Sequence, residues 1–367
     1  MSTSPKDQIT TAQVAVIVIN YTIGTGILTL PRASAEKVQT PDIWLTVIVG
    51  GLIAMIAGVI IVRLSQSFPG KTFYQYSQTI VGKWLGGLLS LLLVCYFVIM
   101  SGFHARSLVE VTSSYLLVGT PSWAIVMPFM WVSLYLIMGG INPLARLFEI
   151  IIPITAGIFL VVAFLSFKTF EVDNLRPVLG LGIVPVLKGI KTTALSYTGF
   201  ESMLIIIAFM KQPNKAVKAV LVGIFIPLIF YLITVVMVIG TLSVDGLITL
   251  TWPTLDLIRS FEMPGLLFER FESLLLAIWI MKMFTCFSFG YYAASLGLSQ
   301  LFQKNIHPFM YGLLPIIYII AMTPKSINEV FKLGDMMGNF ALFLFGLQPL
   351  LLLLVLRLKK RKHEVKV

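Results

Sequence analysis

Apolar residues in this chain gather into long runs separated by short polar punctuation, rather than alternating with polar ones. Runs of about 20 apolar residues, the length an α-helix needs to cross a ~30 Å hydrocarbon layer, occupy 11–35, 43–67, 82–107, 122–140, 146–167, 186–209, 216–241, 270–300, 308–323 and 334–357. The pattern predicts an all-α integral membrane protein with ten transmembrane helices. The ninth run is short, and the eighth begins among Glu269, Arg270 and Glu272. Most connections are brief and carry turn chemistry, such as Phe68-Pro69-Gly70, Gln212-Pro213-Asn214 and Thr323-Pro324-Lys325-Ser326. The two long external connections are 168–185 and 242–269. Within the second, Pro253 to Phe261 has the apolar spacing of a short amphipathic helix, expected to lie over the outer mouth as a lid.

Two runs are interrupted. The first contains Ile23-Gly24-Thr25-Gly26-Ile27 and the sixth contains Ser196-Tyr197-Thr198-Gly199-Phe200-Glu201-Ser202. Unpaired N–H and C=O groups cost several kcal/mol each in lipid, so a loosened backbone is tolerated only where protein buries it or a polar cavity receives it. Interruptions at matching positions in two halves mark a binding site. Five spans run from each break, repeat one over about 11–167 and repeat two over about 186–357. An odd number of spans per half sends the second half in from the opposite face, which makes the repeat an inverted one. The whole of 1–367 is read as a single transmembrane domain ending in a basic tail, 358–367.

Composition supports the membrane reading: 57% of residues are hydrophobic and only 12% charged, against about 25% charged in ordinary soluble domains. The mean hydropathy is +0.94. A formal charge of +11 raises the question of a nucleic-acid partner, but the basic residues sit in short loops and in the tail from Arg357 to Lys366, with no stripe of stacking aromatics. They are read as topology and attraction to membrane lipid. With the amino terminus inside, Lys and Arg number 15 on the inner side and 11 on the outer, which predicts both termini on the cytoplasmic face. Lys6, Asp7 and Gln8 precede a first run without a leader-type cleavage site, so that run is expected to remain. Cys95 and Cys286 lie in apolar runs with no ligand-type spacing and read as packing residues.

Each break exposes both kinds of helix end, free C=O before it and free N–H after it. A zwitterion fits such a cradle, its carboxylate on the N–H ends and its ammonium on the C=O ends. Gly24, Thr25, Gly26, Tyr197, Gly199, Phe200 and Glu201 are the candidate ligand-binding residues, with Tyr197 and Phe200 shaping the wall. Glycine in membrane helices also serves plain close packing; the second break, with its acid, favours the site. Glu201 either caps the half-helix that follows or handles ligand or proton. Lys282, alone in the eighth run, has three readings: an ammonium set against the first helix in place of a sodium ion, a partner for Glu201 or Glu149, or a side chain snorkelling to an interface. Tyr96 and Met100, one turn apart, and Thr285 and Ser288, near one face, complete the pocket or merely pack helices.

Enzyme readings lack parts. His104, His307 and His363 are far apart, without a nucleophile or metal-ligand partner at recognisable spacing, and His104 beside Arg106 reads as an interface residue. Gly24-Thr25-Gly26 lacks the Lys and Ser/Thr of a phosphate-binding loop. No enzyme activity, cofactor or metal is expected.

The first break followed by Leu30-Pro31, together with Tyr197-Thr198-Gly199-Phe200-Glu201, resembles the first- and sixth-helix signatures of the amino acid–polyamine–organocation superfamily. Four further stretches, Ile9-Thr10-Thr11-Ala12-Gln13, Thr72 to Tyr76 with Val81 to Gly86, Asn174 to Gly180, and Pro324-Lys325-Ser326-Ile327, resemble the B-subunit family of spore germinant receptors over nearly the whole chain. That resemblance implies a leucine-transporter-like bundle of five plus five helices with helices one and six broken. It also implies a place in the spore inner membrane beside a larger A subunit and a lipoprotein C subunit, and a small nutrient ligand, commonly an amino acid. Carried onto this chain, the ligand would lie between Gly24-Thr25-Gly26 and Tyr197 to Glu201, walled by Tyr96, Met100, Thr285 and Ser288. The expected function is nutrient sensing that triggers germination; the alternative is a proton-coupled amino-acid transporter using Glu201 or Lys282.

Overall fold

A computed structural model describes residues 8–259 and 271–364. Lys6, Asp7, Ser260, Phe261, Glu269, Arg270 and Lys366, named above, lie outside the described residues. The first interrupted span is α1 (Thr11–Thr22) and α2 (Gly26–Val38), followed by α3 (Ile43–Gln66), the short α4 (Phe73–Val81), α5 (Lys83–Tyr115), α6 (Ser122–Met138) and α7 (Ile141–Ser166). The second half holds α8 (Val184–Gly189), α9 (Thr193–Ser196), α10 (Met203–Ile206), α11 (Ala216–Thr249), α12 (Pro253–Arg259), α13 (Phe271–Phe302), α14 (Ile306–Met322), α15 (Ile327–Ala341) and α16 (Gln348–Glu364).

Among the described residues, six helices are long and apolar enough to cross a membrane, and two more spans are bent pairs. These pairs are Thr11–Thr22 with Gly26–Val38, bent by 51°, and Val184–Ser196 with Phe200–Phe209, bent by 49°. The fourth and ninth runs form α6 and α14, of 17 residues each, about 25 Å long and at the short end of the spanning range. The seventh run ends where expected, because Ser243 leaves helical geometry at φ 57° and turns the last residues of α11 aside. The tenth is interrupted by a π-helical turn, Leu342–Leu347, between α15 and α16.

Three of the sequence motifs turn out to be helix starts. Thr10 and Gln13 exchange side-chain and backbone hydrogen bonds at 2.9 and 3.2 Å in a capping box on α1, and Thr72 with Gln75 does the same for α4. Ser326 caps α15 by accepting from the Glu329 N–H, while the Glu329 carboxylate accepts from the Lys325 N–H at 2.7 Å. Each satisfies donors that the first turn of a helix leaves open. The fourth motif ties a loop down: Asn174 Nδ2 donates to Gly240 O at 2.9 Å.

Helix α12 is not a cover lying on the mouth. Trp252, Leu255, Leu257 and Ile258 are all buried, and Thr254 Oγ1 donates to Ile27 O at 2.9 Å, so the helix is inserted beside the first turn of α2. Helices α2, α7, α11 and α13 pack around it, although it carries Asp256 in its first turn. In the middle of the molecule α13 packs on α5, α1 and α7, and α11 packs on α3, α1 and α2.

Candidate functional site

The two broken spans run antiparallel and meet break to break. At one end Ile9 N–H donates to Phe209 O at 2.9 Å and Lys211 N–H donates to Ile9 O at 3.0 Å. At the other, the Ser34 and Thr192 hydroxyls are 2.9 Å apart. Midway, Gly199 rests on Thr22. A Cβ added at Gly199 would stand 2.1 Å from Thr22 Oγ1 and 2.7 Å from Thr22 N, and the residue has φ +143°, so space and backbone both require glycine. Gly26 is similarly enclosed, its absent Cβ 2.7 Å from Tyr231 Oη and 2.9 Å from Ser196 Cβ.

Side chains take up most of the helix ends that a zwitterion was expected to occupy. Tyr231 Oη of α11 donates toward two carbonyls at once, Thr22 O at 2.7 Å and Ser196 O at 2.9 Å, joining the C-terminal ends that precede the two breaks. Thr22 O also accepts from Gly24 N–H at 2.9 Å. The Cys286 thiol faces Asn20 O and Tyr21 O at 3.4 and 3.5 Å. On the donor side, Gly199 N–H gives its hydrogen to Glu201 Oε2 at 2.5 Å, and Tyr96 Oη donates to Glu201 Oε1 at 3.1 Å. Glu201 therefore caps its own half-helix and ties it to α5. The physical reason is general: a backbone polar group buried away from water must find a partner in the chain itself. One set of ends stays open to the site. The first rungs of α2 run from Leu28 and Thr29 N–H to Thr25 O at 3.0 and 3.1 Å, so the N–H groups of Gly26 and Ile27 precede the ladder.

Lys282 does lie against the first helix. Its Nζ donates to Asn20 Oδ1 at 2.7 Å, and Asn20 Nδ2 donates to Val16 O and Phe148 O at 3.0 and 3.1 Å. Among the described residues no ion pair includes Lys282: Glu201 is engaged as above, and Glu149 accepts from Gln13 Nε2. At 4% exposure the ammonium does not snorkel either. Lys282 is among the residues around a small, largely apolar cavity of about 50 Å³ between α2, α7, α11, α12 and α13, which Ile23, Ile27 and Leu28 line from the side of the first break.

Comparison with known proteins now bears on this geometry. The sequence model described as spore germination protein matches residues 8–330. The chain belongs to the spore germination protein family. It is 54% identical to spore germination protein YndE of Bacillus subtilis (strain 168), over 98% of this chain and 99% of that protein. It is 35% identical to spore germination protein A2 of the same organism, over 94% of each. Among solved structures it is similar to Mhp1, a nucleobase-cation-symport-1 family transporter in a closed conformation with bromovinylhydantoin bound, at TM-score 0.64 and 11% identity over 93% of this chain and 78% of that one. It is also similar to MhsT in complex with L-phenylalanine, at TM-score 0.63 and 9% identity over 93% of this chain and 89% of that one. These likenesses show the leucine-transporter-like fold. This spore germination protein is thus an integral membrane protein built as such transporters are.

Not all candidate residues converge. Gly24, Gly26, Gly199, Glu201 and Tyr96 meet where the breaks cross, and Thr25 supplies the carbonyl from which α2 starts. Tyr197 turns away from the first break, its hydroxyl donating to Val47 O of α3 at 2.8 Å. Phe200 faces the π-turn residue Phe345, whose ring also stands edge-on to Tyr96 with centroids 4.8 Å apart. Ser288 shares a hydrogen bond with Ser133 of α6 at 2.8 Å, and Thr285 donates to Lys282 O of its own helix at 2.7 Å. Met100 is buried on α5 one turn from Tyr96. His104, expected at an interface, is 4% exposed, lies 3.6 Å by its Cε1 from where a Gly24 Cβ would be, and has both ring nitrogens unpartnered. Tyr231, Asn20 and Phe345 escaped the sequence reading. A tyrosine inside an apolar run was the available signal for Tyr231; nothing marked Phe345.

Proposed function

We propose that this spore germination protein is the nutrient-binding subunit of a germinant receptor, acting by binding and not by catalysis, in the spore inner membrane with both termini cytoplasmic. A larger A subunit and a lipoprotein C subunit are the partners, and an amino acid is the nutrient. The observation that carries this reading is the break-to-break crossing of two antiparallel spans, tied together by side chains rather than by continuous helix. Such a joint is a two-state element: a ligand that binds one arrangement better shifts the population, and the partner subunits read the shift. Glu201, Tyr96 and Tyr231 hold the resting arrangement, and the open N–H ends of α2 are where an anionic ligand group gains most.

The experiment is the germination response of spores to single amino acids, with Gly24→Ala introduced on the chromosome and subunit levels checked by immunoblot. The added methyl meets Cys286 Sγ at 2.9 Å, a contact a side chain can yield to, so assembly is expected to survive while the response to one nutrient is lost. An unchanged response at normal subunit levels overturns the reading. The likeness to two transporters favours one competing function, proton-coupled amino-acid transport. Uptake of labelled amino acid by liposomes holding this chain alone, driven by a pH gradient, would establish that instead.

A further inference from the structure

Among the described residues, Tyr21 Oη, Thr22 Oγ1 and both ring nitrogens of His104 are buried with no hydrogen-bond partner. The three residues are 3%, 2% and 4% exposed, and they stand together at the first break. Thr22 follows Tyr21 in the last turn of α1, and the Tyr21 and His104 rings meet edge to face with centroids 6.3 Å apart. All three border backbone that glycine leaves bare: a Cβ at Gly24 would lie 3.6 Å from His104 Cε1, one at Gly290 would lie 3.6 Å from Tyr21 Oη, and one at Gly199 would meet Thr22 Oγ1 first. Ser101, which also borders Gly290, already gives its hydrogen to Phe97 O at 2.8 Å. On α5, Tyr96, Met100 and His104 recur every four residues, so the face that ties down Glu201 also carries the unpaired imidazole.

Two sets of side chains therefore oppose each other at the crossing. Tyr231, Tyr96 and Glu201 form hydrogen bonds that hold the breaks together. Tyr21, Thr22 and His104 are polar groups taken out of water without replacement, which penalises the arrangement that buries them and is rare enough in a folded chain to need a reason. The penalty is lifted when the end of α1 moves off α5 and α13, because water or the open N–H ends of α2 then reach these groups. We propose that Tyr21, Thr22 and His104 are a load built into the joint: unpaired while the two breaks are closed on each other, they gain partners as it opens, and so they set how little ligand the response needs. This rests on the two-state joint of the proposed function and adds the groups that fix its balance.

Tyr21→Phe removes the unpaired oxygen and keeps the ring, which packs on Phe97 and Phe289. The purified full-length chain in detergent, in a Cys95→Ser background, reports the balance through labelling by a small maleimide. Cys286 is buried with its thiol against Asn20 O and Tyr21 O, so it is uncovered as α1 lifts, and its labelling rate follows the population of the open form. With no nutrient added, Tyr21→Phe should slow the labelling about 5- to 150-fold, the factor that the penalty on one unpaired group represents in an equilibrium. It should also raise the thermal midpoint by roughly 1–3 °C. His104→Leu, on a different helix, should act in the same direction, and Tyr231→Phe in the opposite one. Unchanged or faster labelling in both Tyr21→Phe and His104→Leu overturns the load.

In spores, Tyr21→Phe should raise the nutrient concentration for half-maximal germination by a similar factor, about 5- to 150-fold. Adding Tyr231→Phe should bring that requirement back down, since it loosens the opposing tie. A requirement that the second substitution does not lower makes Tyr21 a ligand contact and overturns the load. The labelling needs no nutrient, so the two readings fail separately. Slowed labelling with an unmoved germination response keeps the loaded joint and overturns the joint as the element a receptor reads. Unchanged labelling with an intact, single-nutrient response overturns the load and keeps the receptor.

Discussion

Replacing Tyr231 by phenylalanine removes one oxygen and leaves the ring in place, edge-on to Tyr197 with centroids 5.5 Å apart. The hydroxyl serves two acceptors, but they do not suffer equally. Thr22 O keeps the Gly24 N–H at 2.9 Å, while the bond to Ser196 O, at the end of α9, is lost outright. An interhelical hydrogen bond in a membrane protein averages about 0.6 kcal/mol, whereas an acceptor stranded in the interior costs about 1–3 kcal/mol. The second figure governs here, because a carbonyl at a helix end has no i+4 donor to fall back on. We therefore expect Tyr231→Phe to destabilise by about 1–2 kcal/mol, lowering the thermal midpoint in detergent by roughly 1–3 °C. Tyr74→Phe is the matched control. Its hydroxyl donates at 2.9 Å to Ala293 O, which lies inside α13, so its loss should cost only about 0.6 kcal/mol. Because Cys95 is exposed, both variants are to be melted side by side in a Cys95→Ser background, with a thiol-reactive dye reporting exposure of buried Cys286. If the two fall within about 0.3 kcal/mol of each other, a span well inside the expected difference, Tyr231 does not join the two helix ends and the account of the crossing is wrong.

Two further substitutions probe the same joint. Gly199→Ala combines a disfavoured φ of +143° with a methyl 2.1 Å from Thr22 Oγ1, at about 1–3 kcal/mol for each effect. It should abolish accumulation of the chain in membranes on an immunoblot, whereas Gly157→Ala, where nothing lies within 4 Å, leaves the level unchanged; normal levels of the Gly199 variant refute the packing account. Glu201→Gln retains an oxygen for Gly199 N–H and should fold, while Glu201→Ala strands both Gly199 N–H and Tyr96 Oη and should lower the melting temperature well below that of the glutamine variant. Equal melting of the two removes the capping role.

How much of this was legible beforehand depends on which interaction carried it. Eight of the ten apolar runs form, among the described residues, six long helices and two bent pairs, and the other two form the 17-residue α6 and α14, because a span must shield its backbone from lipid with its own residues, a demand written locally. Both breaks read correctly for a related reason: glycine in such a run can serve close packing alone, but beside polar residues it loosens the helix, and the two spans bend there by 51° and 49°. The capping pairs Thr10 with Gln13 and Ser326 with Glu329 are likewise three residues apart and need no tertiary knowledge. The seventh run ended at Ser243 as its polarity suggested, although the insertion of α12 between α2, α11 and α13 could not be foreseen, since an amphipathic spacing says nothing about how deep a helix is driven.

What remained for the folded molecule was the choice of partner across long sequence distances. Amino-acid order alone determined that free carbonyls and amides would exist near residues 23 and 199; it left Glu201 between capping and ligand handling, and did not say that Tyr231 and Cys286 would take up the carbonyls from within the chain. Nor did it say that Ser288 would face Ser133, or that Tyr197 would point to Val47. Lys282 shows the division most plainly. Its burial is forced by the run that contains it, but its hydrogen-bond partner, Asn20, stands 262 positions away, and only the packing of α13 against α1 brings them together. Secondary structure in a membrane answers to the solvent, which every residue meets wherever it stands; a site answers to neighbours, and these are settled when helices pack.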